Sequence, residues 1–484
     1  MMMKKRNSLS FLPLVLLAGC AVGPDYKRPE LPVAQHYTEA QLQESVAPGE
    51  LPARWWELFH SPALDELVRA GLANSPDVAA AQAALRMAVE NRHAQQGAYA
   101  PNVGVSYAGS RQKVAGSLAS PLNSGSELFN LHTAQLTVSY APDLFGLNRR
   151  QVESLQAQAE SQRWTLEASY LSLSSNLVVA AINEASLRAQ IEATQSLVSS
   201  QAEVLQRYRQ LEKLGQNSAL DIAQQEAQLA ALEAALPPLE KQLALQRDQI
   251  KALSGRLPDT SSAEFRLDEL TLPEPLPLTL PSSLVEHRPD ILAAEAQLRS
   301  ASAAIGVTTA SRLPQINLGV NTWGSSASAL SQLFNAGSGF WTLAGSVSQT
   351  VFDGGTLKHR EAAAQAAYEQ AAAQYRSTVI NAYQNVADAL QAIAADEKAL
   401  AASQRAQDAA ERTLAIARRQ LALGDVSALA LLAAEQAVQQ ARVAAVQARA
   451  NRLSDAAALF QALGGGWWNR ANRASADNST ETQP

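Results

Sequence analysis

One cysteine, Cys20, stands among 484 residues, which excludes a disulfide framework. The six histidines (His36, His60, His93, His132, His287 and His359) are dispersed, and no pair has metal-ligand spacing on a helix. Beyond the first three residues the sole methionine is Met87, so a thioether relay for copper or silver has no ligands. No nucleophile elbow or phosphate loop occurs, and Gly337-Ser338-Gly339 fails the dinucleotide fingerprint because Thr342 stands at the third glycine position. A catalytic site, a metal and a small-molecule cofactor are therefore not expected. Basic charge is also short, with 39 Lys and Arg against 45 Asp and Glu. Loss of Lys4, Lys5 and Arg6 with a leader would take the net charge from −6 to −9, which argues against a nucleic-acid partner. No apolar run is long enough for a transmembrane helix, so any membrane crossing falls to strands.

Two long stretches lack both proline and glycine. From 148 to 213 the chain is rich in Ala, Gln, Leu, Glu and Arg, and Leu166, Tyr170, Leu173 and Leu177 recur at steps of three and four. At about 1.5 Å per residue this predicts a helical rod of roughly 100 Å, far longer than a globular core needs. A second rod runs from 357 to 422. Each rod ends in a similar turn: Leu214-Gly215-Gln216-Asn217-Ser218-Ala219-Leu220 and Leu423-Gly424-Asp425-Val426-Ser427-Ala428-Leu429. Gly215 and Gly424 are 209 residues apart, as are Ser218 and Ser427, while Pro76 and Pro101 precede Pro289 and Pro314 by 213. The chain is thus a tandem duplication of one large unit and not a solenoid of short repeats.

The order of segments follows from this. Residues 1–19 read as a secretory signal peptide: Lys4, Lys5 and Arg6 precede an apolar run from Leu9 to Leu17 that Pro13 interrupts. Leu17-Ala18-Gly19-Cys20 resembles a bacterial lipobox, which would place N-acyl and S-diacylglycerol lipid on Cys20, with Ala21 rather than Asp after it implying the outer membrane. Residues 20–61 form a Pro-rich arm closing in Trp55-Trp56-Glu57-Leu58-Phe59, read as packing that ties the arm to the body. The first repeat, 62–283, begins with helices from Pro62 to Ala73 and from Pro76 to about Ala98, the second opened by Ser75 as cap and Asp77 at the positive end. Its strands cover 102–113 and 129–140, followed by the rod 148–213, tip 214–218, return helix 218–254 with a kink at Pro237-Pro238, and an equatorial segment 255–283. The second repeat, 284–466, has strands at 315–323 and 340–351, the rod 357–422, tip 423–427 and return helix 427–463. Residues 467–484 form a tail expected to be disordered after about Ala471.

The strands alternate cleanly. Val103, Val105 and Tyr107, then Ala134, Leu136, Val138 and Tyr140, face away from Asn102, Gly104, Ser106, Thr133, Gln135, Thr137 and Ser139. In the second copy Ile316, Leu318 and Val320 oppose Asn317, Gly319 and Asn321, and Trp341, Leu343 and Val347 oppose Thr342, Ser346 and Ser348. About ten residues per strand, uncharged in the middle and aromatic toward the ends, fit an outer-membrane barrel better than the edge of a soluble sandwich. A closed membrane barrel needs at least about eight strands, and an open edge in lipid leaves backbone groups unpaired. Four strands therefore require oligomerisation: two copies would fill their own lumen, and three would leave a water-filled pore. Each return helix is shorter than its rod. The helix from Pro289 to Leu313 completes the first return, and Pro76 to Tyr99 completes the second, giving four helical columns per chain.

Together, Cys20-Ala21-Val22-Gly23-Pro24-Asp25-Tyr26 with Arg28-Pro29, Trp55-Trp56, Glu286-His287-Arg288-Pro289-Asp290, Phe352-Asp353-Gly354-Gly355 and the two Leu-Gly-x-x-Ser tips resemble the outer-membrane efflux lipoproteins, the TolC- and OprM-like family in its NodT branch. The resemblance covers nearly the whole mature chain. It implies a mainly α fold with a membrane β-barrel part: a homotrimeric channel-tunnel of twelve strands over a twelve-helix α-barrel. It also implies outer-membrane lipid, a periplasmic adaptor and an inner-membrane RND or MFS-type pump as partners, with passive conduction of drugs or other small toxic compounds outward. The implied aperture and adaptor contacts are Leu214, Gly215, Ser218, Leu220, Leu423, Gly424, Ser427 and Leu429, with Leu429 matching an apolar constriction ring. Ala433 stands where an acidic residue is usual, which argues against an aspartate gate. Arg207, Arg209, Lys213, Arg418 and Arg419 near the rod ends serve either the helix dipoles or a charged gate. A periplasmic scaffold would also use long hairpins and a lipid anchor, but has no use for four lipid-compatible strands. An envelope hydrolase lacks a site, and protein secretion stays open beside efflux, which the lipobox favours.

Overall fold

The absence of helix breakers produces two very long helices in the computed structural model, which describes residues 21–30, 36–37, 46–113, 128–261, 263–278, 286–423 and 425–470. Residues 1–19, expected to be a signal peptide, together with Cys20, Gly424 and the tail beyond 470, lie outside these residues. In chain order the elements are β1 (Val46–Pro48), α1 (Pro62–Asn74), α2 (Pro76–Gln96), β2 (Asn102–Lys113), β3 (Leu128–Tyr140), α3 (Leu147–Lys213), α4 (Ala219–Leu253) and β4 (Leu276–Leu278). They continue with α5 (Pro289–Ala310), β5 (Gln315–Ala327), β6 (Gly339–Ser348), α6 (Thr356–Leu423) and α7 (Ala428–Ala462). Helices α3 and α6 have 67 and 68 residues. Helix α4 continues through Pro237 and Pro238. Contacts group the chain into two compact units, neither of which is a copy of the repeat: one takes Met1–Pro29, Leu85–Gln162 and Ala294–Tyr375, the other Glu30–Ala84, Arg163–Ala293 and Arg376–Pro484.

The first unit holds an antiparallel sheet in the order β2-β3-β5-β6. Its register stacks the apolar positions of all four strands on one face: Val105 opposite Leu136, Val138 opposite Val320, and Val320 opposite Leu343. The ladders on both sides of β5 shift by one residue between Asn321 and Gly324. This bulge inverts the alternation, so that Trp323 rather than Thr322 pairs with Leu136 on the apolar face. The other face is knitted by Asn321 Nδ2 donating to Gln135 Oε1 at 3.0 Å and by the Thr133 and Ser326 hydroxyls at 3.1 Å.

Carboxylates start both long helices. Asp143 accepts from the backbone N–H groups of Asn148 (3.0 Å) and Arg149 (2.8 Å), and Asp353 from those of Gly355 and Leu357, both at 2.8 Å. Each satisfies donors that a helix start leaves free. The bonds to Asp353 hold its carboxyl below the usual carboxylate range. Near its start, within this unit, α3 packs on α5: the Ser154 and Ser300 hydroxyls lie 2.9 Å apart and Arg299 pairs with Glu160 at 2.8 Å.

In the second unit α3 has a different neighbour. Gln201 Nε2 donates to Gln225 Oε1 of α4 at 2.9 Å, and buried Glu184 pairs with Arg247 of α4 at 3.1 Å. Helix α3 is thus bonded to α4 in this unit, and to α5 in the first. Glu184 also accepts from Arg188 and from the backbone N–H of Phe265, which fastens the equatorial segment to α3. The arm's aromatic cluster is core: Trp55 and Phe59 are buried and pack on Phe460 at 5.8 and 6.3 Å between ring centroids. Strands β1 and β4 pair in parallel, Val46 to Leu276 through Pro48 to Leu278, a link between the arm and the equatorial segment that their proline-rich sequences did not announce.

Candidate functional site

The first tip is built by glycine and serine. At Gly215 (φ +72°) the chain leaves α3 in the left-handed conformation, and Gln216 N–H donates back to Leu211 O at 2.9 Å, the bond that closes a Schellman turn. Ser218 then caps α4, its Oγ accepting from Asp221 N–H while the Asp221 carboxylate accepts from Ser218 N–H at 2.9 Å and from its hydroxyl at 2.8 Å. Those bonds hold the Asp221 carboxyl below the usual carboxylate range. At the second tip the closing backbone bond and the serine cap recur. Asp425 N–H donates to Gln420 O at 2.9 Å, and Ser427 Oγ accepts from Ala430 N–H at 3.4 Å. Ala430 occupies the position of Asp221, so no carboxylate reciprocates.

Of the expected tip residues that are described, Leu214, Gly215 and Ser218 link α3 to α4 with Leu220 at the start of α4, and Leu423 ends α6 ahead of the cap residue Ser427. Leu214, Leu220 and Leu423 are 71%, 67% and 76% exposed, so three large apolar side chains project into solvent where a partner surface can cover them. Gly424 lies outside the described residues; Leu429 is in the first turn of α7, with its side chain outside them. Behind the second tip, Ala417, Leu431 and Ala434 are buried with Leu414 and Leu421 against them.

The cations resolve into two groups. Arg209 of α3 pairs with Glu226 of α4 at 2.7 Å, and Arg418 of α6 pairs with Glu435 of α7 at 3.2 Å. Among the described residues no ion pair holds Arg207, Lys213 or Arg419. The sequence reading missed the pairs, although the signal was present: Arg209 and Arg418, like Glu226 and Glu435, are 209 residues apart. It also missed Asp396 of α6, whose carboxyl is pushed up to about 6 by burial and by Asp455 of α7 beside it, against the opposing pull of Arg452.

At the sheet, β2 and β6 are edges, with no neighbouring strand beyond them among the described residues. Val105, Leu343 and Trp341 of those edges are exposed at 82%, 70% and 75%. Among the described residues no group of three His, Cys, Asp or Glu side chains could hold a metal ion, and no helix is long and apolar enough to cross a membrane.

A family model described as outer membrane efflux protein matches residues 67–256 and 280–465, one segment in each copy of the duplication. The probable efflux pump outer membrane protein TtgC of Pseudomonas putida is 28% identical over 96% of this chain and 97% of its own length. The pyoverdine export outer membrane protein OpmQ of the same species is 30% identical over 86% of this chain and 88% of its own. Among solved structures, the outer-membrane channel OprN aligns with a TM-score of 0.84 at 28% identity, over 93% of this chain and 100% of that one.

Proposed function

The chain belongs to the outer membrane efflux protein family and is an outer-membrane channel of an efflux system; on that premise we propose that three copies close the four-stranded sheet into a twelve-stranded barrel over a twelve-column helical tube. The open sheet carries this reading. Across Val103–Tyr107, Ala134–Tyr140, Ile316–Val320 and Trp341–Val347 one face carries the apolar positions of all four strands and the other carries polar or small residues, and among the described residues β2 and β6 are edges without a neighbouring strand. In lipid each unpaired backbone group costs several kcal/mol, a penalty that pairing β2 of one copy with β6 of the next removes. Two copies reach eight strands, whose interior side chains fill; three reach twelve and leave a wet lumen.

The tube receives drugs or other small toxic compounds from a periplasmic adaptor and an inner-membrane RND or MFS-type pump, and conducts them passively outward. The adaptor meets the tips through Leu214, Gly215, Ser218, Leu220, Leu423, Gly424, Ser427 and Leu429. Cys20 carries N-acyl and S-diacylglycerol lipid, and at about 0.8 kcal/mol per buried CH₂ several chains make a stable anchor. Native mass measurement in mild detergent, followed by single-channel recording in planar bilayers, tests the assembly. A threefold particle with discrete conductance steps is expected; a well-behaved single subunit, or a threefold particle that does not conduct, refutes the reading.

A further inference from the structure

Two arginines, Arg149 and Arg150, occupy the first turn of α3, where the helix dipole disfavours cations. Arg150 is nonetheless buried, at 4% exposure. Its donors explain why. Nε donates to Val22 O at 3.1 Å, and Nη2 to Gly23 O at 3.3 Å and to Asp25 Oδ1 at 2.8 Å; only Nη1 turns to its own helix, to Glu153 Oε2 at 2.8 Å. The guanidinium therefore serves the amino-terminal segment more than α3. Its bond holds the Asp25 carboxyl below the usual carboxylate range.

The seat around it has no slack. Val22 N–H donates to Phe145 O at 3.1 Å. A Cβ on Gly146 (φ +77°) would stand 2.7 Å from Ala21 Cα, and one on Gly23 (φ +96°) 2.4 Å from Gly306 Cα. Further along, Arg28 pairs with Glu295 of α5 at 3.0 Å and donates to the Tyr375 hydroxyl of α6 at 3.4 Å, and Arg299 lies over the Tyr26 ring. All these residues belong to one compact unit.

We propose that Arg150 is the positioning residue of a dock for the segment that follows Cys20, seating Ala21–Asp25 on the turn between β3 and α3 so that whatever residue 20 carries is held at the foot of the sheet. A loose segment from 20 to 28 would let the anchor wander by roughly 30 Å at about 3.5 Å per residue, whereas a docked one leaves a single peptide link of about 3.8 Å beyond Ala21. For the anchor to be lipid, the inference rests on the reading of Cys20 given above; the dock itself does not.

Lys27 is exposed, so its peptide bond to Arg28 resists trypsin only if the surrounding backbone is held. The full-length protein, purified in mild detergent, is digested with trypsin and cleavage at Lys27–Arg28 is followed by mass. In Arg150→Gln and in Gly23→Val this bond is expected to open at least about tenfold faster than in the wild type, with the thermal midpoint and assembled mass unchanged. Equal rates in all three overturn the dock. Should Arg150→Gln fail to accumulate, Gly23→Val, confined to the segment itself, decides alone, and cleavage as slow as wild type refutes the proposal. The released 20–27 peptide reports its acyl groups separately: an unacylated peptide overturns the lipid part, while the cleavage ratio still decides the dock.

Discussion

Arg209 of α3 and Glu226 of α4 meet at 2.7 Å, and 209 residues later Arg418 and Glu435 make the same pair at 3.2 Å between α6 and α7. Nearby positions have diverged: the buried Gln201–Gln225 bond of the first hairpin is replaced by Ala410 and Ala434 in the second. Persistence of the ion pair through that divergence suits a clasp that holds each hairpin shut just behind its tip.

The clasps differ in surroundings, and double-mutant cycles will read the difference. Arg209 and Glu226 are both about half exposed, whereas Glu435 is 13% exposed. Exposed pairs are worth about 0.2–1 kcal/mol and are screened by salt. The Arg418–Glu435 coupling is expected at the upper end of that range and the Arg209–Glu226 coupling at the lower, with the second nearly lost at 1 M salt. Equal couplings, or an Arg209–Glu226 coupling that does not change with salt, contradict this account.

The second tip is missing half a capping box, and Ala430→Asp supplies it. Amide exchange at 428–431 should slow, approaching that of 219–222, while Asp221→Ala should speed exchange at the first tip. Because the Asp221 carboxyl is depressed in the folded state, its contribution is present above the unfolded value near 3.8 and is lost as pH falls below it. Protection at the first tip should thus hold from pH 7 to 5 and fade only in stronger acid; fading already at pH 5 would discredit the assignment.

Much of this architecture was legible because long helices and strands leave strong periodic marks. The rod expected over 148–213 is seen over Leu147–Lys213, and the strand expected over 102–113 is Asn102–Lys113. Strand β5 extends to Ala327 although 315–323 was expected, because the bulge at Thr322–Trp323 breaks the period that marks a strand. Strand β6 ends at Ser348, short of the expected 351. The three-residue strands β1 and β4 carry no alternation to read. For the tips, sequence gave the turn residues but not the clasps, since an ion pair between helices is visible only when the duplication offset is applied to charges as well as to glycines. The Arg150 dock had a sequence mark too, in two arginines at the wrong end of a helix dipole.

Asp396 supplies a pH dependence of opposite sign. Its folded value of about 6 exceeds the unfolded 3.8, so the fold takes up a proton and gains stability as pH falls from about 7.5 toward 5. The groups facing it are Asp455 and Arg452, the latter also bound to Glu274. Asp396→Asn should raise the thermal midpoint at pH 7.5 and flatten its rise on acidification. A variant that melts lower at pH 7.5, or keeps the same slope, would show that the carboxyl is not the source.

The apolar face of the sheet can be tested against its neighbour one residue at a time. Val105 and Ser106 adjoin on β2 and point to opposite faces, the first aligned with Leu136 and the second with Gln135. If the apolar face meets lipid, Val105→Arg costs about 2–4 kcal/mol near the bilayer midplane, whereas Ser106→Arg faces water and leaves assembly intact while altering conductance. The bulge sharpens the test. Simple alternation from Val320 would place Thr322 toward lipid, but the observed register places Trp323 there instead. Trp323→Arg should therefore reduce assembled protein in outer-membrane fractions as Val105→Arg does. Wild-type levels of both variants would mean that this face is not turned to lipid.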